Sequence, residues 1–158
     1  MSEPGLQRGW WLEDARPGGV IEHPGGRTIG ADEHPRLAML TNNASDVHND
    51  AARATSGAFG APVVMGALTA AVVIGLAEPA VGPAENARRA LQSAWSQIAL
   101  TAIVTGGATL KARSFVESVE PDTDGRGGLV GRVVEGRDQH GTVVVRIRER
   151  RWVPSRPT

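Results

Sequence analysis

Between Ala54 and Ala77 the chain reads ATSGAFGAPVVMGALTAAVVIGLA, with no Asp, Glu, Lys or Arg. A run of this length satisfies the usual membrane-span criterion of about 20 apolar residues. It is, however, interrupted by Gly57, Gly60, Pro62, Gly66 and Gly75, and neither a Lys/Arg cluster nor an aromatic belt flanks it. The segment therefore predicts a buried helix in a soluble domain. Pro62 suits the position just before or within the first turn, where its missing N–H costs nothing. The helix is expected from about Val63 to Leu76, ending near Glu78-Pro79 because a residue before proline resists the α region. Apolar side chains on every face predict that protein surrounds it. Gly66 near its start has two readings: a site of close packing, or a backbone N–H left open at the positive end of the helix dipole.

A chain of 158 residues is long enough for one domain with a real core. Seventeen basic residues cancel seventeen acidic ones, so net charge favours neither nucleic acid nor an anionic membrane as partner. The absence of cysteine excludes disulfides and thiol catalysis and fits a cytoplasmic protein. MSEPGLQRGWW has no basic region followed by an apolar core, so no secretory signal is expected.

Residues 1–9 are expected to be a flexible terminus, and residues 10–156 a single domain. Trp10 and Trp11 are costly to leave in water, so at least one should cover the core or a partner subunit. Turns at Pro17-Gly18-Gly19 and Pro24-Gly25-Gly26 delimit short strands at Val20–His23 and Arg27–Ile29. A short helix should start within Ala31–Pro35, with Leu37, Leu40 and Thr41 on its buried face. A surface helix is expected over Glu85–Gln92. Strands are expected over Ile98–Val104, Leu110–Val119, Leu129–Glu135 and Thr142–Val153, the last two joined by a hairpin at Asp138–Gly141. In the last strand Val143, Val145 and Ile147 share one face. Arg146, Arg148, Arg150 and Arg151 read as a solvated face protecting a sheet edge, or as a contact for phosphate or carboxylate. A helix followed by antiparallel strands gives an α+β fold in which the sheet wraps the apolar helix.

The polar loop from Asn42 to Asp50 is the main candidate for chemistry. An imidazole titrates near neutral pH, which suits His48 to acid/base work. The Asn43 amide can orient water or substrate but cannot exchange a proton. The competing reading is a solvated turn before a helix capped by Asn49 or Asp50. The four histidines, His23, His34, His48 and His140, show no metal-ligand spacing.

Taken together, WWLEDARPGGVIEHPGGRTIGADEH, LTNNASDVHND, GAPVVMGALTAAVVIGLA, GATLKARS and GRDQHGTVVVRIRERRWVPSR resemble, in order and spacing, the MaoC-like dehydratases of the hot-dog fold. The resemblance spans roughly Trp10 to Arg156. It implies hydration or dehydration of an enoyl thioester, with His48 at the family's histidine position and Asn43 where an aspartate usually stands. The family glycine, whose N–H polarises the thioester carbonyl, falls on Gly66, in line with the helix N-terminus argument. Asp46 stands where proline is common and Met65 where histidine is frequent; these two and Val64 are the residues expected to contact the substrate. LTNNASDVH preceded by GRTIGADEH is similar to the C-terminal half of mesaconyl-CoA hydratases, which implies a branched or dicarboxylic acyl group. Arg27, Arg36 and Arg53 are the cations expected to meet a second carboxylate. The resemblance further implies a homodimer, no metal or redox cofactor, and coenzyme A, or an acyl-carrier protein, only as part of the substrate. A catalytically degenerate acyl-thioester binding protein is the rival reading. A thioesterase is the weaker one, because Val63–Ala77 lacks the carboxylate that hydrolysis calls for.

Overall fold

A computed structural model of the chain describes residues 11–78 and 93–157. Trp10 and the expected helix over Glu85–Gln92 lie outside the described residues. The elements run, in order, as a 3-10 turn at Leu12–Asp14, β1 (Val20–Glu22), β2 (Arg27–Thr28), α1 (Glu33–Leu40), α2 (Asp46–Asn49), α3 (Ala51–Ser56), α4 (Gly66–Leu76), β3 (Ser93–Leu100), β4 (Thr109–Pro121), β5 (Gly127–Arg137) and β6 (Val143–Pro154). The strands form an antiparallel sheet in the order β1-β4-β5-β6-β3, with β2 also pairing to β4. This is the α+β layer expected from the sequence.

Alternation along β4, β5 and β6 turns one face of the sheet toward α4. Leu68, Val72, Val73 and Leu76 of the helix meet Leu110, Val134, Val145 and Ile147 in one apolar cluster. Gly136 sets how closely the two layers approach, since a Cβ there would lie 2.4 Å from Val73 Cγ2 and 2.8 Å from Val145 Cγ1. A second cluster, of Leu12, Ala15, Val116, Val130 and Val153, closes the other end of the sheet. Leu12 supplies that contact while Trp11 is only half-buried.

Several expectations need correction. The central helix begins at Gly66 rather than Val63, because the two residues after Pro62 are extended: Val63 bridges Thr105, and the Val64 N–H donates to the Val104 carbonyl at 2.7 Å. Its faces are not all covered within the chain, since Ala67, Ala71 and Gly75 are exposed on one side. On α1 the buried residues are His34 and Ala38, whereas Leu40 is 82% exposed and Thr41 is exposed too. The strand expected at Ile98–Val104 runs from Ser93 to Leu100, and the following residues leave the sheet toward α4. The arginine-rich strand β6 is interior, between β5 and β3, so it protects no edge. Arg146, Arg148 and Arg150 lie on its solvated face, paired with Glu135, Glu117 and Glu120, while Arg151 points the other way and pairs with Glu78. The hairpin at Asp138–Gly141 is as expected, with the Asp138 carboxylate accepting from the N–H groups of His140 and Thr142 and Gly141 at φ +84°.

A buried polar network ties α4 to the sheet. Arg132 of β5 is fully buried and donates to Glu149 Oε1 at 2.7 Å, to Ser114 Oγ at 3.0 Å and to the Ala77 carbonyl at 2.9 Å. Its charge thus sits at the C-terminal, negative end of the α4 dipole. Glu149 also accepts from Trp95 Nε1 at 2.8 Å on β3, and Ser114 meets His23 Nε2 at 2.7 Å. Burial, and then the Arg132 charge, lower the His23 pKa from the ordinary 6.5 to about 4. Between those values the unfolded chain binds a proton that the folded protein refuses, so stability is complete above pH 6.5 and falls as the pH drops toward 4. At 1.36 kcal/mol per pKa unit, the loss traceable to His23 is about 3 kcal/mol. Thermal melts across that window should show the decline, and a folded His23→Asn variant should show a shallower one. Equal slopes in the two proteins would remove His23 as the cause.

Candidate active site

His48 sits on α2, a single turn introduced by extended Ser45, whose carbonyl accepts the His48 N–H at 3.0 Å. The chain then returns through α3, where the Asp50 side chain caps the helix by accepting the Arg53 N–H at 3.0 Å. Beyond Pro62 it passes between α2 and the loop after β3: Val63 N–H donates to Val47 O at 3.0 Å, and Val64 N–H to Val104 O. This clamp delivers Gly66 to the head of α4 next to His48.

The imidazole is oriented by one short contact, His48 Nδ1 to the Val63 carbonyl at 2.6 Å. A carbonyl only accepts, so Nδ1 carries the proton and Nε2 presents a lone pair. A cavity of about 480 Å³ is bordered by His48, Val63, Val64, Gly66 and Thr69 on one side and by Leu100–Val104 on the other. At its edge the α4 N-terminus has no side-chain cap. The first N–H groups of a helix lack intrahelical partners, so Gly66 offers a donor and the positive dipole end there. A Cβ at Gly66 would lie 2.1 Å from Leu100 Cδ1, so a side chain there would push the end of that leucine away from the helix start.

Among the residues expected at the site, His48, Gly66 and Val64 border the cavity. Asn43, Asp46 and Met65 do not. The Asn43 amide is occupied at both ends, its Oδ1 accepting from Ser45 N–H at 3.2 Å and its Nδ2 donating to Met65 Sδ at 3.3 Å. Met65 is buried beneath it, and Asp46 is on the surface, paired at 2.5 Å with Arg53. The arginines expected to meet a second carboxylate are all engaged outside the cavity: Arg27 with Glu33, Arg36 with Asp32, and Arg53 with Asp46 and Asp50. Arg27 and Glu33 border a separate groove between α1 and α4.

Two features were missed by sequence reasoning. Thr69 brings a hydroxyl to the cavity wall, and its only signal was being the sole polar side chain within Gly66–Leu76. His34 is buried, and burial first, then its electrostatic interaction with His48, lower its pKa from the ordinary value. Its Nδ1 has no hydrogen-bond partner among the described residues. No group of His, Asp and Glu among the described residues is arranged to hold a metal ion, and no helix among them is long and apolar enough to cross a membrane.

No family model matches the chain, and no curated protein does. Solved structures do. The chain is similar to a MaoC-like dehydratase from Rhodospirillum rubrum at 20% identity and a TM-score of 0.73, covering 95% of this chain and 100% of that one. An (R)-hydratase from Pseudomonas aeruginosa aligns at 20% identity and a TM-score of 0.67, over 96% of this chain and 90% of that one. A Mycobacterium tuberculosis protein described as a double hotdog aligns at 18% identity and a TM-score of 0.73, over 94% of this chain and 45% of that one. At these identities the likeness is one of fold, and it agrees with the strand order and central helix described above: the chain is a hot-dog domain, built like the MaoC-like dehydratases and (R)-hydratases it resembles.

Proposed function

We propose that the protein is an enoyl-thioester hydratase or dehydratase. The observation that carries this reading is a single cavity bordered by both a histidine with its Nε2 unencumbered and the uncapped N-terminus of an apolar helix. In the hydration direction, His48 Nε2 takes a proton from water as the hydroxyl adds to the β-carbon. The electrons move to the thioester oxygen, where the Gly66 N–H and the helix dipole stabilise the developing charge. The protonated imidazole then returns the proton to the α-carbon, so the sum is addition of one water.

The aliphatic wall of Val63, Val64, Ala102, Ile103 and Val104 suits a branched acyl group. A diacid needs a cation as well. Arg27, Arg36 and Arg53 are each paired elsewhere, so within this chain the uncharged branched thioester is the better-supported substrate. Coenzyme A or a carrier protein would bear the acyl group, with no separate cofactor. No carboxylate among the described residues borders the cavity, which disfavours the thioesterase reading. A second copy of the chain is the partner we propose. Edge strand β3 presents Trp95, Ile98 and Leu100 to solvent, and unpaired apolar edges of this kind are stabilised by pairing.

The test is an enoyl-absorbance assay on crotonyl-CoA, 2-methylcrotonyl-CoA, mesaconyl-CoA and a carrier-bound enoyl chain, with mass spectrometry for gain of one water. Hydration of the branched monoacid in preference to mesaconyl-CoA is expected. Mesaconyl-CoA as the preferred substrate would restore the diacid reading. No turnover anywhere, with CoA esters still raising Tm, would leave an acyl-thioester binding protein.

A further inference from the structure

Holding the oxygen that is added or removed calls for a second side-chain group beside His48, and Asn43 does not supply it. Asn43 is turned away, its amide nitrogen on Met65 Sδ and its oxygen on the Ser45 N–H. Besides His48, the side-chain hydrogen-bonding groups on the wall among the described residues are the hydroxyls of Thr69 and Thr101. Thr101 is committed, since its Oγ1 donates to the Val143 carbonyl at 2.6 Å. Thr69 Oγ1 donates to the Met65 carbonyl four residues back at 3.4 Å, and no group among the described residues donates to its lone pairs. That bond uses the hydroxyl proton and leaves the oxygen free to accept.

We propose that Thr69 Oγ1 holds the oxygen at C3 of the substrate, the attacking water in one direction and the 3-hydroxyl in the other. Thr69 stands three residues along α4 from Gly66, and both border the cavity. Three residues of helix advance about 4.5 Å along the axis, a little under one turn, so the two residues are neighbours on one side of the helix, and the Thr69 hydroxyl leans back toward the helix start through its bond to the Met65 carbonyl. The division of labour is then complete within α2 and α4. The Gly66 N–H takes the C1 oxygen, Thr69 Oγ1 positions the C3 oxygen, and His48 moves the proton.

This assignment rests on the hydratase reading, and the experiment separates the two. Steady-state kinetics are measured for the unsubstituted protein, Thr69→Val and Thr69→Ser on crotonyl-CoA and 2-methylcrotonyl-CoA, with Tm recorded for each. Valine keeps the branched shape and removes the hydroxyl; serine keeps the hydroxyl and removes the methyl. Thr69→Val should lose about tenfold or more in kcat with KM changed far less, whereas Thr69→Ser should stay within a few-fold of the unsubstituted protein. Unchanged kcat in Thr69→Val overturns the assignment and leaves the hydratase reading standing. Equal losses in both variants, tracking Tm, also overturn it, because packing and not the hydroxyl would then be the cause. Absence of turnover by the unsubstituted protein removes the hydratase reading, and this assignment with it.

Discussion

His48→Ala is expected to lower kcat for enoyl-thioester hydration by about 10²- to 10⁴-fold, the range that general acid/base catalysis by one side chain supplies. Ligand affinity should change little, because the cavity wall is mostly aliphatic and the carbonyl contact we propose belongs to the Gly66 backbone. Loss of the Nδ1 contact to Val63 O should cost about 1 kcal/mol of stability, so the protein should remain folded. Stopped-flow or steady-state absorbance at the enoyl band, alongside CoA-ester binding by calorimetry, separates the two effects. If His48→Ala retains its turnover, the proton carrier lies elsewhere, and buried His34, which interacts electrostatically with His48, becomes the first residue to substitute.

The largest stability effect is expected at Arg132, far from any reacting group. Arg132→Met should destabilise the fold by about 3–5 kcal/mol, because it strands the buried Glu149 carboxylate and leaves the Ala77 carbonyl and Ser114 hydroxyl without their donor. That is a large share of the roughly 5–15 kcal/mol that keeps a domain folded. A fall in Tm of roughly 10 °C or more follows. The double variant Arg132→Met with Glu149→Leu should recover part of this, since no unpaired charge would remain buried. Denaturant titration measures both. A single variant within 1 kcal/mol of the unsubstituted protein would mean that water reaches the network, and the pinning of α4 to β5 through Ala77 would have to come from apolar packing alone.

The two residues differ in how far the sequence announced them. The place of His48 beside the start of α4 was legible because it stands between a polar loop and a charge-free helix, a pattern of local composition. Arg132 was not: in GLVGRVVEG it looks like a solvent-facing residue on an alternating strand. Only the end of α4, carried over β5, makes its position interior. Asn43 shows the opposite failure. Its place in the pattern suggested a role beside His48, yet Thr41 and Asn43 both turn toward Met65 Sδ, a contact across 22 residues for Asn43 that no local pattern encodes. Leu40 was assigned to a buried face by helical spacing. In the structure α1 rotates His34 and Ala38 inward instead.

Local patterning determined the elements themselves. The charge-free run produced α4, period-two alternation with turn residues produced β4, β5 and β6, and the Asp138–Gly141 turn joined the last pair, because backbone sterics and burial of apolar faces act over a few residues. Long-range contacts decided where the elements begin and what they form together. Val64 pairing with Val104 delays the helix to Gly66, Leu100 closes over that glycine, and the wall from Leu100 to Val104 completes the cavity around His48 and Thr69. Those contacts join residues tens of positions apart, so their geometry exists only once the sheet has folded against the helix.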